Sequence, residues 1–338
     1  MSNHQNSSQN SSQDTGSSAH HVVVGAGAIG SALARRLAER GERVRLVTRS
    51  GSGPDHARIE RVAADASDGA RLAILADGAA TVFNCANPPY PKWADAWPAL
   101  SNGVIAACET SGARMVTISN LYGYAADSSP MRATDELVPP TRKGAIRTAT
   151  WNAACAAHEA GRIEMTEVRA SDFIGPGVGA NGHIGDRFVP RLLAGKSISV
   201  LGRADVEHSW TYVDDVVTTL LAVAQDERAL GRAWHVPTGP ALTVEQLVAE
   251  FAAVAGVPPV KVKSIPVALL KVGGVFSPMI RELPEMLYQF QRPFVIDATD
   301  TVENFGIVPT PLDEQLQATI ASYRQPARDT APARHAAA

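Results

Sequence analysis

From His21 onward, short runs of β-branched and other apolar residues alternate with longer segments of helical periodicity. The apolar runs are HVVVGAG, RVRLVTR, IERVAAD, TVFNCAN and ARMVTISN, and a helical segment over 141–160 follows the last of them. Strands that alternate with helices in this way are typical of a parallel sheet covered by helices on both faces. We therefore predict an α/β fold with a doubly wound parallel sheet.

The alternation breaks after Gly175, where a Gly-rich loop and less regular segments begin. We predict a nucleotide-binding unit over residues 21–175 and, over 176–325, mainly a smaller C-terminal substrate-binding subdomain. Some segments of the second unit are expected to return to the main sheet. Residues 1–20 and 326–338 are polar and of low complexity, which predicts disordered tails.

Composition narrows the classes of partner. The 338 residues are 45% hydrophobic and carry a net charge of −3 with no Lys/Arg cluster. This predicts a protein that binds a small molecule rather than nucleic acid or membrane, and a homodimer stays open. The three cysteines lack paired spacing, so neither a disulfide framework nor a metal site is expected. With no apolar run long enough to span a bilayer, we expect a soluble, cytoplasmic protein.

A glycine motif follows the first predicted strand. Gly25, Gly27 and Gly30, with Ala28 and Ile29 among them, lie between an apolar strand and an Ala-rich helix. Glycines here permit a tight turn and close approach of the backbone to a pyrophosphate, whose charge the helix N-terminus favours. The motif predicts a Rossmann-type dinucleotide site.

The end of the second predicted strand bears on the choice of cofactor. An NAD-selective site would usually carry Asp or Glu there, whereas this chain has Thr48 and Arg49. A guanidinium can pair with a 2′-phosphate, so NADP is predicted and NAD is the less favoured alternative. Asp65 and Ala66, after the third strand, are expected at the adenine. Residues at the end of the fourth strand should also face the cofactor: Cys85, Ala86 and Asn87.

Several further motifs occur in order: ISNLYGY, RASDFIGPG, LLAGKSISVLG and HSWTYVDDV. With the glycine motif, they resemble the extended short-chain dehydrogenase/reductase group, the NAD-dependent epimerase/dehydratase-like proteins, from Val22 to Tyr323. The resemblance implies a Rossmann-type sheet with a smaller substrate-binding subdomain. It also implies that Ser171 and Phe173, in RASDFIGPG, contact the cofactor.

The chain departs from this group at its proton-transfer pair. The group has a tyrosine and, four residues later on the same helix face, a lysine. Here Lys143 and Arg147 align with those positions, and no tyrosine of the chain has a lysine four residues later. The pair resembles the isoflavone and pinoresinol reductase-like members, which implies Lys143 as acid/base and Arg147 as an anchor for the cofactor. The alternative is a redox-inactive protein that binds and senses NADP.

The end of the fifth predicted strand supplies further candidates. Tyr122 is a second candidate proton donor, Ser119 a catalytic hydrogen-bond donor, and Asn120 a substrate ligand, because the carboxyl ends of parallel strands border the crevice. Core packing is an equal explanation for the aromatic residues nearby. Further substrate contacts are predicted at Asn87, Tyr90, Trp93, Tyr124, His183 and His208.

These residues lead to one functional prediction with two alternatives. The main prediction is an NADP(H)-dependent reductase that transfers hydride to a carbonyl, imine or activated alkene of a small metabolite, with Lys143 as acid/base. The first alternative is a sugar-nucleotide epimerase or dehydratase with bound NAD(P). The second is a non-catalytic NADP-binding sensor.

Overall fold

The computed structural model describes residues 20–324. The strands are β1 (His20–Val24), β2 (Arg43–Thr48), β3 (Ile59–Ala63), β4 (Ala79–Asn84), β5 (Arg114–Ser119), β6 (Met165–Arg169), β7 (Asp172–Ile174), β8 (Ile198–Val200), β9 (Trp210–Tyr212), β10 (Ala233–His235) and β11 (Val262–Ser264). The helices are α1 (Ala28–Glu39), α2 (Gly69–Ala76), α3 (Trp93–Ser111), α4 (Arg142–Glu159), α5 (Val189–Leu193), α6 (Val213–Gln225), α7 (Val244–Ala255), α8 (Val267–Phe276), α9 (Pro278–Arg281), α10 (Thr299–Phe305) and α11 (Leu312–Arg324).

The main sheet has seven strands in the order β10-β6-β5-β4-β1-β2-β3, and all of its pairings are parallel. Apolar residues of α1 and α6 cover one face, and those of α2, α3 and α4 cover the other. The predicted doubly wound fold is therefore confirmed. Strand order reverses between β1 and β4, which is where such sheets open a crevice at the carboxyl ends of their strands.

The second half of the chain is joined to this sheet at its edge. β10 pairs with β6, so residues well beyond Gly175 complete the main sheet. A separate core lies among α5, α7, α11 and the residues near β8. β1 begins at His20, one residue before the predicted boundary. The predicted tails otherwise fall in residues 1–19 and 325–338, which lie outside the described residues.

Two helix N-termini lie at the carboxyl ends of the sheet strands, those of α1 and α4. Gly27 is the N-cap of α1, and no side chain caps that helix. α4 begins after Thr141, whose hydroxyl accepts a hydrogen bond of 3.0 Å from the Gly144 backbone. A Cβ on Gly144 would lie 2.2 Å from the Tyr122 carbonyl oxygen, so the first turn of α4 packs directly against the loop after β5.

No helix in the part of the chain from 20 to 324 is long and apolar enough to cross a membrane.

Gly103 allows α3 to pack against the loop after β3. A Cβ there would lie 2.3 Å from the Ala66 carbonyl oxygen and 2.9 Å from Ser67 backbone atoms. We expect Gly103→Ala to lower the free energy of unfolding by about 1–3 kcal/mol, because overpacking against backbone outweighs the gain in helix propensity of about 1 kcal/mol. Urea unfolding measures the change. Gly239→Ala, with nothing within 4 Å of its Cβ, is the control; equal stability of the two variants would contradict the packing argument.

Candidate active site

A cleft of about 1350 Å³ lies along the carboxyl ends of the main-sheet strands. It runs from the glycine turn before α1, past the ends of β2 to β5, to Asp172 and Phe173. Gln289 and Phe294 form part of its far wall. One cleft therefore borders both the sheet and the C-terminal segments.

The glycine turn is shaped to admit a phosphate group. Gly25 has φ of +95°, and a Cβ on it would lie 2.8 Å from the Ala86 Cα. A Cβ on Gly30 would lie 1.9 Å from the Gly25 carbonyl oxygen. The first backbone N–H groups of α1 have no side-chain cap, and its first turn has no acidic residue. Free N–H groups at a helix N-terminus attract anions, so this turn fits the pyrophosphate of a dinucleotide.

The predicted adenosine-side residues line the cleft: Thr48, Arg49, Asp65 and Ala66. Arg49 is exposed. Asp65 accepts hydrogen bonds from the Ser67 backbone N–H at 2.9 Å and hydroxyl at 2.8 Å, and these bonds lower the pKa of the Asp65 carboxyl. A carboxylate and a guanidinium therefore both face this end of the cleft.

Residues after β4 also line the cleft, as predicted for Cys85, Ala86 and Asn87. Burial raises the pKa of the Cys85 thiol to about 12, so the thiol is protonated near neutral pH. Burial raises the pKa of Cys108 to about 12 and that of Cys155 to about 11. None of the three is a ready nucleophile, since the thiolate is the reactive form.

Arg147 is buried where α4 passes the end of β5. Its Nη2 donates to Ser119 Oγ at 2.7 Å and to the Ile118 carbonyl at 3.3 Å, and its guanidinium lies 3.8 Å from the centre of the Trp97 ring. Burial lowers the pKa of Arg147 to about 10, so it stays charged near neutral pH. Nε and Nη1 have no hydrogen-bond partner among the described residues. Both nitrogens are buried, so Arg147 borders the cleft as a cation without presenting these two donors to it.

Lys143, one turn earlier on α4, is placed differently. It is 2% exposed and is not among the described residues that line the cleft. Its ammonium pairs with the carboxylates of Glu282 and Glu285, and it lies 5.1 Å from the centre of the Tyr90 ring. Because two carboxylates stabilise the charged ammonium, Lys143 is a structural cation here rather than a proton donor facing the cleft.

The aromatic residues beside the cleft form one group. The Tyr90 and Tyr122 hydroxyls are hydrogen-bonded at 2.7 Å, and the Trp93 ring stacks near Tyr122. Burial raises the pKa of Tyr90 to about 12 and that of Tyr122 well above its usual range. Both phenols are therefore protonated near neutral pH. Tyr122, Asn120 and Trp93 all line the cleft. Trp93 is in addition a buried residue of the hydrophobic core.

A carboxylate that was not predicted from the sequence borders the same space. Asp172 lines the cleft, and its Oδ2 is 2.8 Å from His208 Nε2. Burial raises the pKa of Asp172, but the hydrogen bond and charge of His208 outweigh it, so the net shift is downward. Asp172 is ionised near neutral pH. Its position within RASDFIGPG was the available signal, because this segment follows β6 at the crevice.

The structure places three of the predicted substrate contacts outside the lining of the cleft. Tyr124 is buried between the His235 ring and Arg169, with hydrogen bonds of 2.8 Å and 2.6 Å. His183 stacks 4.6 Å from the Phe290 ring, and burial lowers the pKa of His183 to about 4. His208 is buried behind Asp172. Each ring is outside the cleft lining because it packs among other side chains.

Other predicted residues do line the cleft: Gly25, Gly27, Ala28, Ile29, Tyr90, Ser119, Ser171 and Phe173. Gly30 is not among these lining residues, and it packs directly against the Gly25 carbonyl. Within residues 20–324, no group of three or more His, Cys, Asp or Glu side chains could hold a metal ion.

The parallel sheet, the glycine turn and the cleft at its strand ends define a protein of the dinucleotide-binding, short-chain dehydrogenase/reductase type. The model of the NAD dependent epimerase/dehydratase family matches residues 21–236, well over half of the chain. The chain belongs to this family. No curated protein matches the sequence.

Solved structures share the whole architecture. The UDP-glucose 4-epimerase of Thermotoga maritima, solved with UDP-glucose, is 21% identical with a TM-score of 0.75, covering 90% of this chain and 98% of that one. The UDP-glucuronic acid 4-epimerase of Bacillus cereus, with NAD, is 15% identical with a TM-score of 0.74 at the same coverage. MoeE5, with UDP-glucose and NAD, is 23% identical with a TM-score of 0.72, again over 90% and 98%.

These comparisons correct the main functional prediction. An NADP-dependent reductase with Lys143 as acid/base is wrong, because the matched family is that of epimerases and dehydratases and the similar structures are epimerases of UDP-sugars. The geometry gives the physical reason at Lys143, whose ammonium is held by Glu282 and Glu285. The resemblance to lysine-dependent reductases rested on spacing alone.

Lys143→Met tests this structural role. Without the ammonium, Glu282 and Glu285 lose their shared cation, so we expect a loss of about 3 kcal/mol in unfolding free energy at pH 8, the scale for breaking a buried pair. Adding Glu285→Gln to Lys143→Met should recover part of the loss, because the double variant buries one uncompensated carboxylate fewer. Urea unfolding measures both changes, with the exposed Lys196→Met as control. A double variant with no recovery would contradict the ion-pair explanation.

Proposed function

We propose that the protein is an NAD-dependent epimerase or dehydratase acting on a nucleotide-linked sugar. The observation that carries this proposal is the continuous cleft, which extends from the glycine turn to Gln289 and Phe294. Its volume of about 1350 Å³ exceeds the roughly 300–1000 Å³ of a pocket for one small ligand. A dinucleotide and a second nucleotide-sized molecule can therefore lie end to end. Family membership and the UDP-sugars in similar structures support the same substrate class.

The cofactor we propose is NAD, and the earlier preference for NADP is set aside. The similar structures carry NAD. At the adenosine end, Asp65 and Arg49 are both exposed, so solvent screens both charges, and the ionised Asp65 offsets the attraction of Arg49 for a 2′-phosphate. The free N–H groups before α1 would hold the pyrophosphate. Arg147, which lines the cleft beside Ser119, would anchor the nicotinamide half through its charge.

When bound, NAD supplies a hydride acceptor and afterwards the hydride donor. Side chains of the protein must accept the proton of the substrate hydroxyl and later return it. Ser119 and the protonated Tyr122 both border the cleft at the end of β5, so they are suited to donate hydrogen bonds to the reacting oxygen. Such bonds strengthen as negative charge develops on that oxygen.

We assign the proton acceptor to Asp172. Tyr122 is protonated and cannot accept a proton until it loses its own, and Lys143 is engaged by two carboxylates. Asp172 is an ionised carboxylate in the same cleft, held by His208. It would take the proton of the substrate hydroxyl as the carbon is oxidised, and return it as the carbon is reduced.

A second candidate function is a dinucleotide-responsive binding protein. The specific observation in its favour is that the tyrosine–lysine pair of the wider group is absent while Lys143 is tied into ion pairs. Such a protein would bind the dinucleotide without converting a sugar.

The cofactor proposal predicts that NAD binds at least about tenfold more tightly than NADP, a difference of about 1.4 kcal/mol. Titration calorimetry with both dinucleotides measures it. Asp65→Asn should narrow the gap by relieving repulsion of the 2′-phosphate, and Arg49→Ala should weaken NADP more than NAD. Tighter binding of NADP by the unaltered protein would mean that Arg49 determines the choice.

The catalytic proposal is tested with UDP-glucose and UDP-glucuronic acid in the presence of NAD, with products followed by NMR. We expect conversion of at least one sugar. Asp172→Asn should lower turnover by about 100-fold, the usual scale for general base help, with NAD affinity little changed. Tyr122→Phe should lower turnover less, because Ser119 still donates to the same oxygen. Tight NAD binding with no conversion across a wider nucleotide-sugar panel would favour the binding protein instead.

A further inference from the structure

An apolar surface lies on and beside α8, away from the cores. Six of the exposed large hydrophobic residues in the described chain fall within thirteen positions. They are Val267, Leu269, Val272, Val275, Phe276 and Met279, here called the α8 surface. Phe276 is 85% exposed. Scattered exposed hydrophobics are ordinary, but a contiguous set marks an interaction site.

Helix α8 has apolar residues on two opposite sides. Leu270 and Gly274 are its buried positions, and a Cβ on Gly274 would lie 3.1 Å from the Arg281 Cα, so this side packs on α9. Leu269, Val272 and Phe276 project on the opposite side, at spacings of three and four residues. The exposed side is thus as apolar as the packed one.

The exposed charged residues of the stretch 261–292, which contains α8, are all basic. Lys271 lies within α8, and Arg281 is held against it because its Nε donates to the Gly274 carbonyl at 3.1 Å. The acidic residues of the stretch 261–292 are Glu282 and Glu285, and both pair with the buried Lys143. The exposed basic residues of that stretch are Lys261, Lys263, Lys271, Arg281 and Arg292. Because they are spread along the sequence, they form no run that composition would reveal.

We propose that the α8 surface binds an anionic lipid membrane, with its apolar side chains in the interface and the basic residues at the headgroups. An apolar helix face flanked by Lys and Arg is the arrangement that adsorbs to anionic bilayers. A second copy of this chain fits less well. A two-fold interface would gather the basic residues of both copies around one apolar contact, with no free carboxylate in the stretch to offset them. The proposal does not depend on the proposed enzymatic function.

Vesicle co-sedimentation of the full chain tests this proposal. Vesicles of phosphatidylcholine with about 30 mol% phosphatidylglycerol should retain the protein, and pure phosphatidylcholine should retain at least about fivefold less. Binding to the anionic vesicles should fall at about 0.5 M salt, where surface charges are screened.

Variants separate the two components of binding. Phe276→Ser should reduce the bound fraction by about fivefold or more, and Lys271→Glu should reduce it while leaving the melting temperature unchanged. Val308→Ser, at a site 78% exposed but outside the α8 surface, is the matched control and should bind normally. Absence of binding, or equal binding by Phe276→Ser, would overturn the proposal. A concentration-dependent dimer that Phe276→Ser dissociates, without vesicle binding, would assign the surface to a second copy.

Discussion

The cleft depends on how two buried cations, one helical turn apart on α4, are compensated. A charge removed from water must find counter-charges or hydrogen-bond acceptors, or the fold loses several kcal/mol. Lys143 finds two carboxylates from the segment after α9, whereas Arg147 finds a hydroxyl, a carbonyl and an aromatic face, with two donors left over. The first cation therefore joins the C-terminal segment to the sheet. The second fixes Ser119 at the border of the cleft and places a positive charge beside it.

The same two residues show what the sequence could and could not predict. Helix α4 and the glycine turn follow from local signals, such as the Thr141 cap and the spacing of Gly25, Gly27 and Gly30, and both were predicted. The partners of Lys143 lie 139 and 142 positions further along the chain, and no periodicity links them. Spacing placed Lys143 on the correct helix, but its chemistry depends on residues that only the fold brings to it.

The histidines and tyrosines illustrate a similar limit. Tyr124 was predicted as a substrate contact, and the fold instead joins it to His235 in one buried hydrogen bond. Asp172 was not predicted from the sequence. Its candidate role depends on its hydrogen bond with His208, 36 positions away, and on the protonated phenols of Tyr90 and Tyr122 in the same cleft. A candidate site of this kind is an assembly of side chains from distant segments, so single motifs identify its border more readily than its chemistry.

The strand that completes the main sheet has a consequence for how the chain can be divided. β10 pairs with β6 only after the chain has passed through the elements from β7 to α6. A fragment ending near Gly175 would expose the N–H and C=O groups of β6, along an edge whose residues are all buried in the intact protein. Unpaired edges of that kind recruit other strands and lead to aggregation. The nucleotide-binding segment is therefore not a portable module, and the chain must be synthesised at least as far as β10 before the edge of β6 is covered.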